Sequence, residues 1–265
     1  GSDDPGHIYA ERIGGADDYY RLARSMSMNG LYYYPLQLDC TRDFSEPSTM
    51  IGGGWFGGYQ SRWRAGRDAV HHRWWLWNGL LRGANSIWIY TGNALMQSDG
   101  YFSIVRSDFA PFDFFRKTAE HIRTARSGIG KLIMASDRPN DGIAVLYSPP
   151  SMLLSAFDQK MPQRWDSPSA VAHLLTEAGF QYRMIYPTQL ADGVLTKGGF
   201  RMLYLPYCQA MSRAEFEAVR EFAEQGGVVF ADLRPGVADE HGKPYEAGVL
   251  DDLFGVMQQT SKAQA

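Results

Sequence analysis

Four short runs in the second half of the chain constrain it most: Ile143–Tyr147 (IAVLY), Tyr182–Ile185, Met202–Leu205 and Val228–Ala231 (VVFA). Each is apolar along almost its whole length, so neither face can be left in water, and strands buried on both faces belong to parallel sheets covered by helices. Helical stretches separate them. Ser167 to Ala178 opens on Ser-Pro and stops at Gly179, and Ser212 to Gln225 opens on an S-x-x-E pair, Ser212 and Glu215, that predicts a capping box. Gly226-Gly227 ends the second helix. Strands alternating with helices in this way predict an open, flavodoxin-like three-layer α/β/α sandwich.

The first half alternates less regularly. Asp17 to Asn29 reads as a helix stopped by Asn29-Gly30, and Leu31 to Leu38 as an aromatic strand interrupted by Pro35. Asp39 to Ser48 is polar and reads as a loop, Ser48 to Ile51 as a short strand, and GGGWFGGY (52–59) as a site loop in which glycines bring backbone close to a ligand. Arg64 to Arg82 is a helix carrying Trp74, Trp75 and Trp77, and SIWIY (86–90) a further strand. Asp99 to Phe109 is a loop and Pro111 to Ser127 a helix. The polar stretch Asp137–Gly142, with its Pro and Gly, reads as a linker and divides the chain into 1–136 and 137–265.

Composition narrows the function classes. The formal net charge of -3 offers no basic field for nucleic acid, and no apolar run approaches the roughly 18 residues of a membrane helix, so neither partner is expected. Cys40 and Cys208 are far apart and lack metal-ligand spacing, so no disulfide, metal or other cofactor is expected. Adjacent His71 and His72 point about 100° apart on a helix, which does not suit chelation. Six of the seven tryptophans lie between Trp55 and Trp88, which suits either a bulky core or a surface that stacks on sugar rings.

The second half resembles one family along most of its length. IAVLYSPPS, AVAHLLTEAGFQYRMI and the long stretch from MLYLPYCQAM through the GG-strand-D-R-P-G turn and DEHGKP to LDDLFGV are similar to the α/β domain of the β-galactosidases of glycoside hydrolase family 42. RDAVHHRWWLWNGLLRGANSIWIY (67–90) resembles the last barrel helix and eighth strand of the same proteins. The resemblance implies the C-terminal part of a (β/α)8 barrel followed by a flavodoxin-like domain that mediates trimerisation, and hence a homotrimer or other homo-oligomer. It makes Leu31–Leu38 and Ser48–Ile51 strands six and seven, and leaves no sequence for strands one to five, so the chain is expected to be part of a larger protein.

The implied chemistry is hydrolysis of β-linked sugars by a retaining pair of carboxyls. The family places its nucleophilic Glu at the end of strand seven, where this sequence has Ile51-Gly52-Gly53-Gly54-Trp55 and no acid. Asp39, after the expected strand six, and Glu46, on the next loop, are the candidate acids, because catalytic groups sit at the C-terminal ends of barrel strands. Tyr34, Trp55, Phe56, Tyr59 and Tyr90 fall at or after strand ends and are the candidate contacts to a carbohydrate substrate, with Arg64 for its hydroxyls or an anionic group. Two alternatives stay open. One is a non-catalytic carbohydrate-binding or oligomerisation module; the other is a Cys208-dependent amidotransferase-like hydrolase, since Cys208 follows a strand of the sandwich.

Overall fold

The computed structural model describes residues 18–31, 35–56, 69–89, 104–106, 108–157 and 166–258, with the backbone alone for 30–31 and 53–56. By its contacts the chain forms two compact units, one spanning Ala23–Asp137 and the other Arg138 onward together with residues up to Leu22. Both are α/β, and both sheets are wholly parallel.

The first unit holds a three-stranded sheet in the order β1 (Met28–Leu31), β2 (Met50–Phe56), β3 (Ser86–Ile89). Helix α1 (Tyr19–Ser25) precedes β1, α2 (Pro35–Phe44) joins β1 to β2, and α3 (Ala69–Leu81) lies between β2 and β3. Three expectations are corrected here. The strand placed at Leu31–Leu38 is instead β1, three residues earlier, and the loop placed at Asp39–Ser48 is mostly helix. Pro35 is the reason: its fixed φ and missing N–H break a ladder but suit the first turn of a helix. From there Leu36, Cys40 and Phe44 recur every four residues, and all are buried. The glycines 52–54 with Trp55 and Phe56 also belong to a strand rather than a loop, although the register against β3 shifts between Gly53 and Phe56.

After β3, α4 (Asp113–Thr124) runs through a π turn at Ala125–Ile129 into α5 (Gly130–Ala135). Gly128 at φ 133° leaves helical geometry there, a conformation that a side chain would strain. Leu38, Ile51, Leu76, Ala84 and Ala125 form the core of this unit, joined by Ile87 and Ile89 from β3. The helices therefore cover one face of the sheet.

The second unit is built on β4 (Ile143–Leu146), β5 (Tyr182–Ile185), β6 (Met202–Leu205) and β7 (Val228–Ala231), in the order β5-β4-β6-β7. These are the four runs singled out in the sequence. Between them lie α6 (Pro149–Phe157), α7 (Asp166–Glu177), α8 (Pro187–Ala191), α9 (Val194–Lys197) and α10 (Arg213–Glu224), with α11 (Asp251–Phe254) near the end. The capping box forms: Ser212 Oγ accepts from the Glu215 amide and Glu215 Oε1 from the Ser212 amide, both at 3.3 Å.

Crossovers between parallel strands are right-handed, so the reversal of direction at β4 sends α7 to one face and α8, α9 and α10 to the other. On the second face Leu190, Leu195, Val219 and Phe222 close over Ala144, Leu146, Leu203 and Leu205. On the first face α7 buries Val171, Ala172 and Leu175, but β6 and β7 extend past it. Phe230, stacked on Tyr204 at 5.2 Å, is consequently 45% exposed and Val228 48%.

Candidate functional site

Because β1, β2 and β3 are parallel, their C-terminal ends at Leu31, Phe56 and Ile89 share one edge of the sheet, and the segments that follow all start there. Loops at that edge are where such units carry their chemistry. Of the expected sugar contacts, Tyr34, Tyr59, Arg64 and Tyr90 lie outside the described residues. Trp55 and Phe56 are the last two residues of β2, so their backbone reaches this edge.

The sheet face turned away from the helices carries a residue absent from the expected set. Ile87 and Ile89 point into the core, so Ser86 and Trp88 point the other way, as alternation along a strand requires. The Trp88 indole lies across Gly52: a Cβ at Gly52 would come within 2.5 Å of Nε1 and 2.0 Å of Ser86 Oγ. Trp88 remains 44% exposed, next to a face that also shows Met28 and Met50, themselves partners in register. A flat indole presented over glycine backbone is suited to stacking on a pyranose ring. Alternation within SIWI was the signal that separates Trp88 from its inward neighbours.

Asp39 and Glu46 fall elsewhere. Asp39 stands in the second turn of α2, not after a strand, and is fully buried. Its carboxylate accepts from Arg42 Nη1 at 2.7 Å and Arg82 Nη1 at 2.5 Å, while Arg42 also grips Asp43 through Nε (2.7 Å) and Nη2 (2.8 Å). Burial opposes the Arg42 cation, but the charges and hydrogen bonds of Asp43 and Asp39 outweigh it, so the guanidinium is held more basic than usual. Arg82 follows the end of α3, and nearby Asn85 bonds the Ile51 amide and the Thr49 carbonyl, where β2 begins. The cluster thus ties helix ends together on the side where strands start. Glu46 precedes β2, is 56% exposed at its side chain, and pairs with Arg24 at 3.2 Å. Both acids sit at the opposite end of the strands from the edge that would hold a substrate, which corrects the premise on which they were chosen.

His72 is a core residue. It is fully buried, stacks on Trp75 at 5.9 Å, and its Nδ1 lies 2.8 Å from Thr118 Oγ1. Thr118 Oγ1 also lies 2.9 Å from the Phe114 carbonyl oxygen, so the pair is held inside the helix layer. No group of three His, Cys, Asp or Glu able to hold a metal occurs among the described residues, nor does a helix long and apolar enough to cross a membrane.

The sandwich offers no chemistry at Cys208. The thiol is fully buried, and burial first, then the charges of Asp232 and Glu215, pushes its pKa well up, the reverse of what a nucleophilic thiolate requires. The crevice at the carboxyl ends of the strands, where such sheets take ligands, is occupied by the chain itself. Ser151 Oγ donates to the Ala210 carbonyl at 3.1 Å and accepts from the Ala210 amide at 3.0 Å. Tyr20 stacks on Tyr186, just past β5, at 4.3 Å, and Tyr19 lies 5.8 Å from Tyr147, just past β4. Tyr186 donates to Asp18 at 2.8 Å.

No family model and no curated protein matches the sequence. Solved structures do match the fold. A β-galactosidase from Bacillus circulans sp. alkalophilus is similar over 89% of this chain and 37% of its own, at 15% identity and a TM-score of 0.71. A cold-adapted β-galactosidase from Rahnella sp. R3 is similar over 90% of this chain and 38% of its own, at 17% identity and a TM-score of 0.71. A catalytic mutant of a family 42 β-galactosidase from G. stearothermophilus covers 86% of this chain and 36% of its own, at 16% identity and a TM-score of 0.64. The chain spans little more than a third of the length of these proteins, and in fold it resembles that piece of a glycoside hydrolase family 42 β-galactosidase.

Proposed function

We propose that this chain is part of a glycoside hydrolase acting on β-linked sugars, in which it supplies the last three strands of a (β/α)8 barrel and a flavodoxin-like assembly domain. The observation that carries the reading is the first unit's sheet. Three parallel strands are covered by helices on one face and present Trp88 over Gly52 on the other, with their C-terminal ends along one edge. In a closed barrel that face is the interior and that edge the substrate end. The second-unit order β5-β4-β6-β7 is the 2-1-3-4 order of a flavodoxin-like sheet.

In this reading the chain contributes substrate contacts rather than the catalytic carboxyls. Trp88 is the stacking platform, with Trp55, Phe56, Tyr34, Tyr59, Tyr90 and Arg64 as further candidates. Asp39 and Glu46 serve the scaffold, and the retaining carboxyl pair comes from sequence outside this chain. The second unit assembles copies into a homotrimer or other homo-oligomer, for which its filled crevice and the exposed Val228 and Phe230 speak.

The test is hydrolysis of nitrophenyl β-galactosides by the 265-residue chain alone and by the polypeptide its source gene encodes. The longer protein is expected to turn over and the chain alone not to. Turnover by the chain alone would refute the division of labour. A non-catalytic carbohydrate-binding module is the second reading, favoured by the acid-free end of β2, Gly52–Phe56. Calorimetry against a glycan panel separates the two, since binding without turnover by the longer protein supports only the module.

A further inference from the structure

Helices α3 and α4 pack against each other, and each follows a strand, so their first turns lie toward the C-terminal edge of the sheet. Between them opens a cavity of about 470 Å³. Small-molecule sites span roughly 300–1,000 Å³, so it has room for such a ligand. Both walls belong to this chain, and none of Ser86–Ile89 lines it. Its inner side is apolar and fixed: the buried Phe114 ring lies 5.8 Å from Phe112 and 5.5 Å from His72. On the outer side Val70 is 70% exposed, and Trp74, one turn further along the same face of α3, is 53% exposed.

Three basic side chains line the same cavity. Arg73 comes from α3, and Lys117 and His121, four residues apart and so on one face, come from α4. Arg73 and Lys117 are exposed, and neither pairs with a carboxylate among the described residues. Of the two acids at the rim, Asp113 is taken by Arg116 at 2.7 Å, which leaves Glu120. Two cations and an imidazole thus face one uncommitted carboxylate. An Arg fork with a Lys point charge beside it suits a single oxyanion, a carboxylate or sulfate. The apolar surface alongside asks for a body attached to that oxyanion. A sugar unit offers both, a ring face for Trp74 and an acidic substituent for the cavity. Nucleic acid would need a track of phosphate contacts, whereas here the cations surround one cavity on a chain of net charge -3.

We infer that the cavity between α3 and α4 is an accessory site for an acidic sugar unit, bearing a sulfate ester or a carboxylate, within a β-linked glycan. Arg73 and Lys117 bind the oxyanion, His121 adds a hydrogen bond, and Trp74 stacks on the ring. This rests on the reading of the chain as part of a hydrolase of β-linked sugars, and it names the substrate class as acidic rather than neutral.

Calorimetry on the polypeptide encoded by the whole gene tests the inference. The probes are a neutral β-linked galacto-oligosaccharide, the same oligosaccharide carrying sulfate esters or a terminal glucuronate, and inorganic sulfate. The acidic forms are expected to bind about 10-fold more tightly than the neutral one, the factor that one charge-assisted hydrogen bond contributes. Arg73→Gln with Lys117→Gln, both on exposed positions, is expected to remove that preference and leave hydrolysis of a nitrophenyl β-galactoside unchanged. Glu120→Gln, which takes away the opposing charge, is expected to strengthen binding of the acidic forms roughly 2- to 5-fold. Equal binding of neutral and acidic forms, or a preference that survives the double substitution, would overturn the site and leave the hydrolase reading intact. Inorganic sulfate bound as tightly as the sulfated glycan would mean an adventitious ion only and would overturn the sugar assignment. A single-stranded RNA bound more tightly than any glycan, through the same two cations, would overturn it as well. A protein that hydrolyses no β-linked sugar yet keeps the preference would remove the hydrolase reading and leave the site standing.

Discussion

Replacing Asp39 by Asn separates a structural acid from a chemical one. The side chain keeps its size and one acceptor but loses the charge that two arginines share. Asp39 is 0% exposed at its side chain, and Arg42 and Arg82 are 14% and 9% exposed, so water offers the orphaned cations little relief. Arg42 retains Asp43, and Arg82 retains the hydrogen bond from its Nε to the Asn78 side chain at 3.1 Å, which carries no compensating charge. Removing one member of a buried ion cluster costs about 3–5 kcal/mol, because the remaining charge stays desolvated. For a protein of this size that is a fall in Tm of roughly 6–20 °C. Thermal unfolding followed by tryptophan fluorescence is the assay, since six of the seven tryptophans lie between Trp55 and Trp88 and so report on the first unit. Glu46→Gln is the control: its exposed pair with Arg24 is worth under about 1 kcal/mol. An Asp39→Asn protein that unfolds like the wild type, yet abolishes hydrolysis by the longer polypeptide, would refute the structural assignment.

Three further outcomes are expected. Gly52→Ala forces a methyl into Ser86 Oγ and the Trp88 indole, and should cost about 1–3 kcal/mol in chemical denaturation while reducing glycan binding by the longer protein. Tyr186→Phe removes the hydrogen bond to Asp18, at a cost of about 1 kcal/mol. Burial first, then the bond to Asp18 and its charge, raises the Tyr186 phenol above its usual 10.0, so the folded state favours the neutral form. That contribution is complete below pH 10 and is lost as pH rises beyond it; the wild type should lose stability there more steeply than the variant, and equal slopes would contradict the assignment. Finally, iodoacetamide should label Cys208 only as the protein unfolds, and labelling in the native state as fast as a free thiol would revive the nucleophile reading.

The second unit was the more legible half, and its strands show why. Ile143–Leu146, Tyr182–Ile185, Met202–Leu205 and Val228–Ala231 carry their assignment in a continuous apolar run, and Ser212 with Glu215 announces the helix that follows. Short helices such as Pro187–Ala191 and Val194–Lys197 escaped, because one or two turns show no period. In the first unit Pro35–Leu38, read as the end of a strand, open a helix, and the polar residues of Asp39–Phe44 imitated a loop. Their polarity is real, but Asp39, Arg42 and Asp43 spend it on one another inside the protein.

What the sequence determined by itself is local: which runs are apolar on both sides, where helices are capped, and that tryptophans crowd one region. These follow from side-chain polarity and backbone stereochemistry over a few residues. Tertiary structure decided what those residues do. It placed Asp39 in a buried ion cluster at the start of the strands, turned Trp88 rather than Ile87 or Ile89 away from the core, and closed the sandwich crevice with Tyr19, Tyr20 and Ser151. Those outcomes depend on which helix end meets which strand, and on which face of a strand the helices cover. Partners 40 or more residues apart, such as Asp39 and Arg82, leave no trace in the pattern around either one.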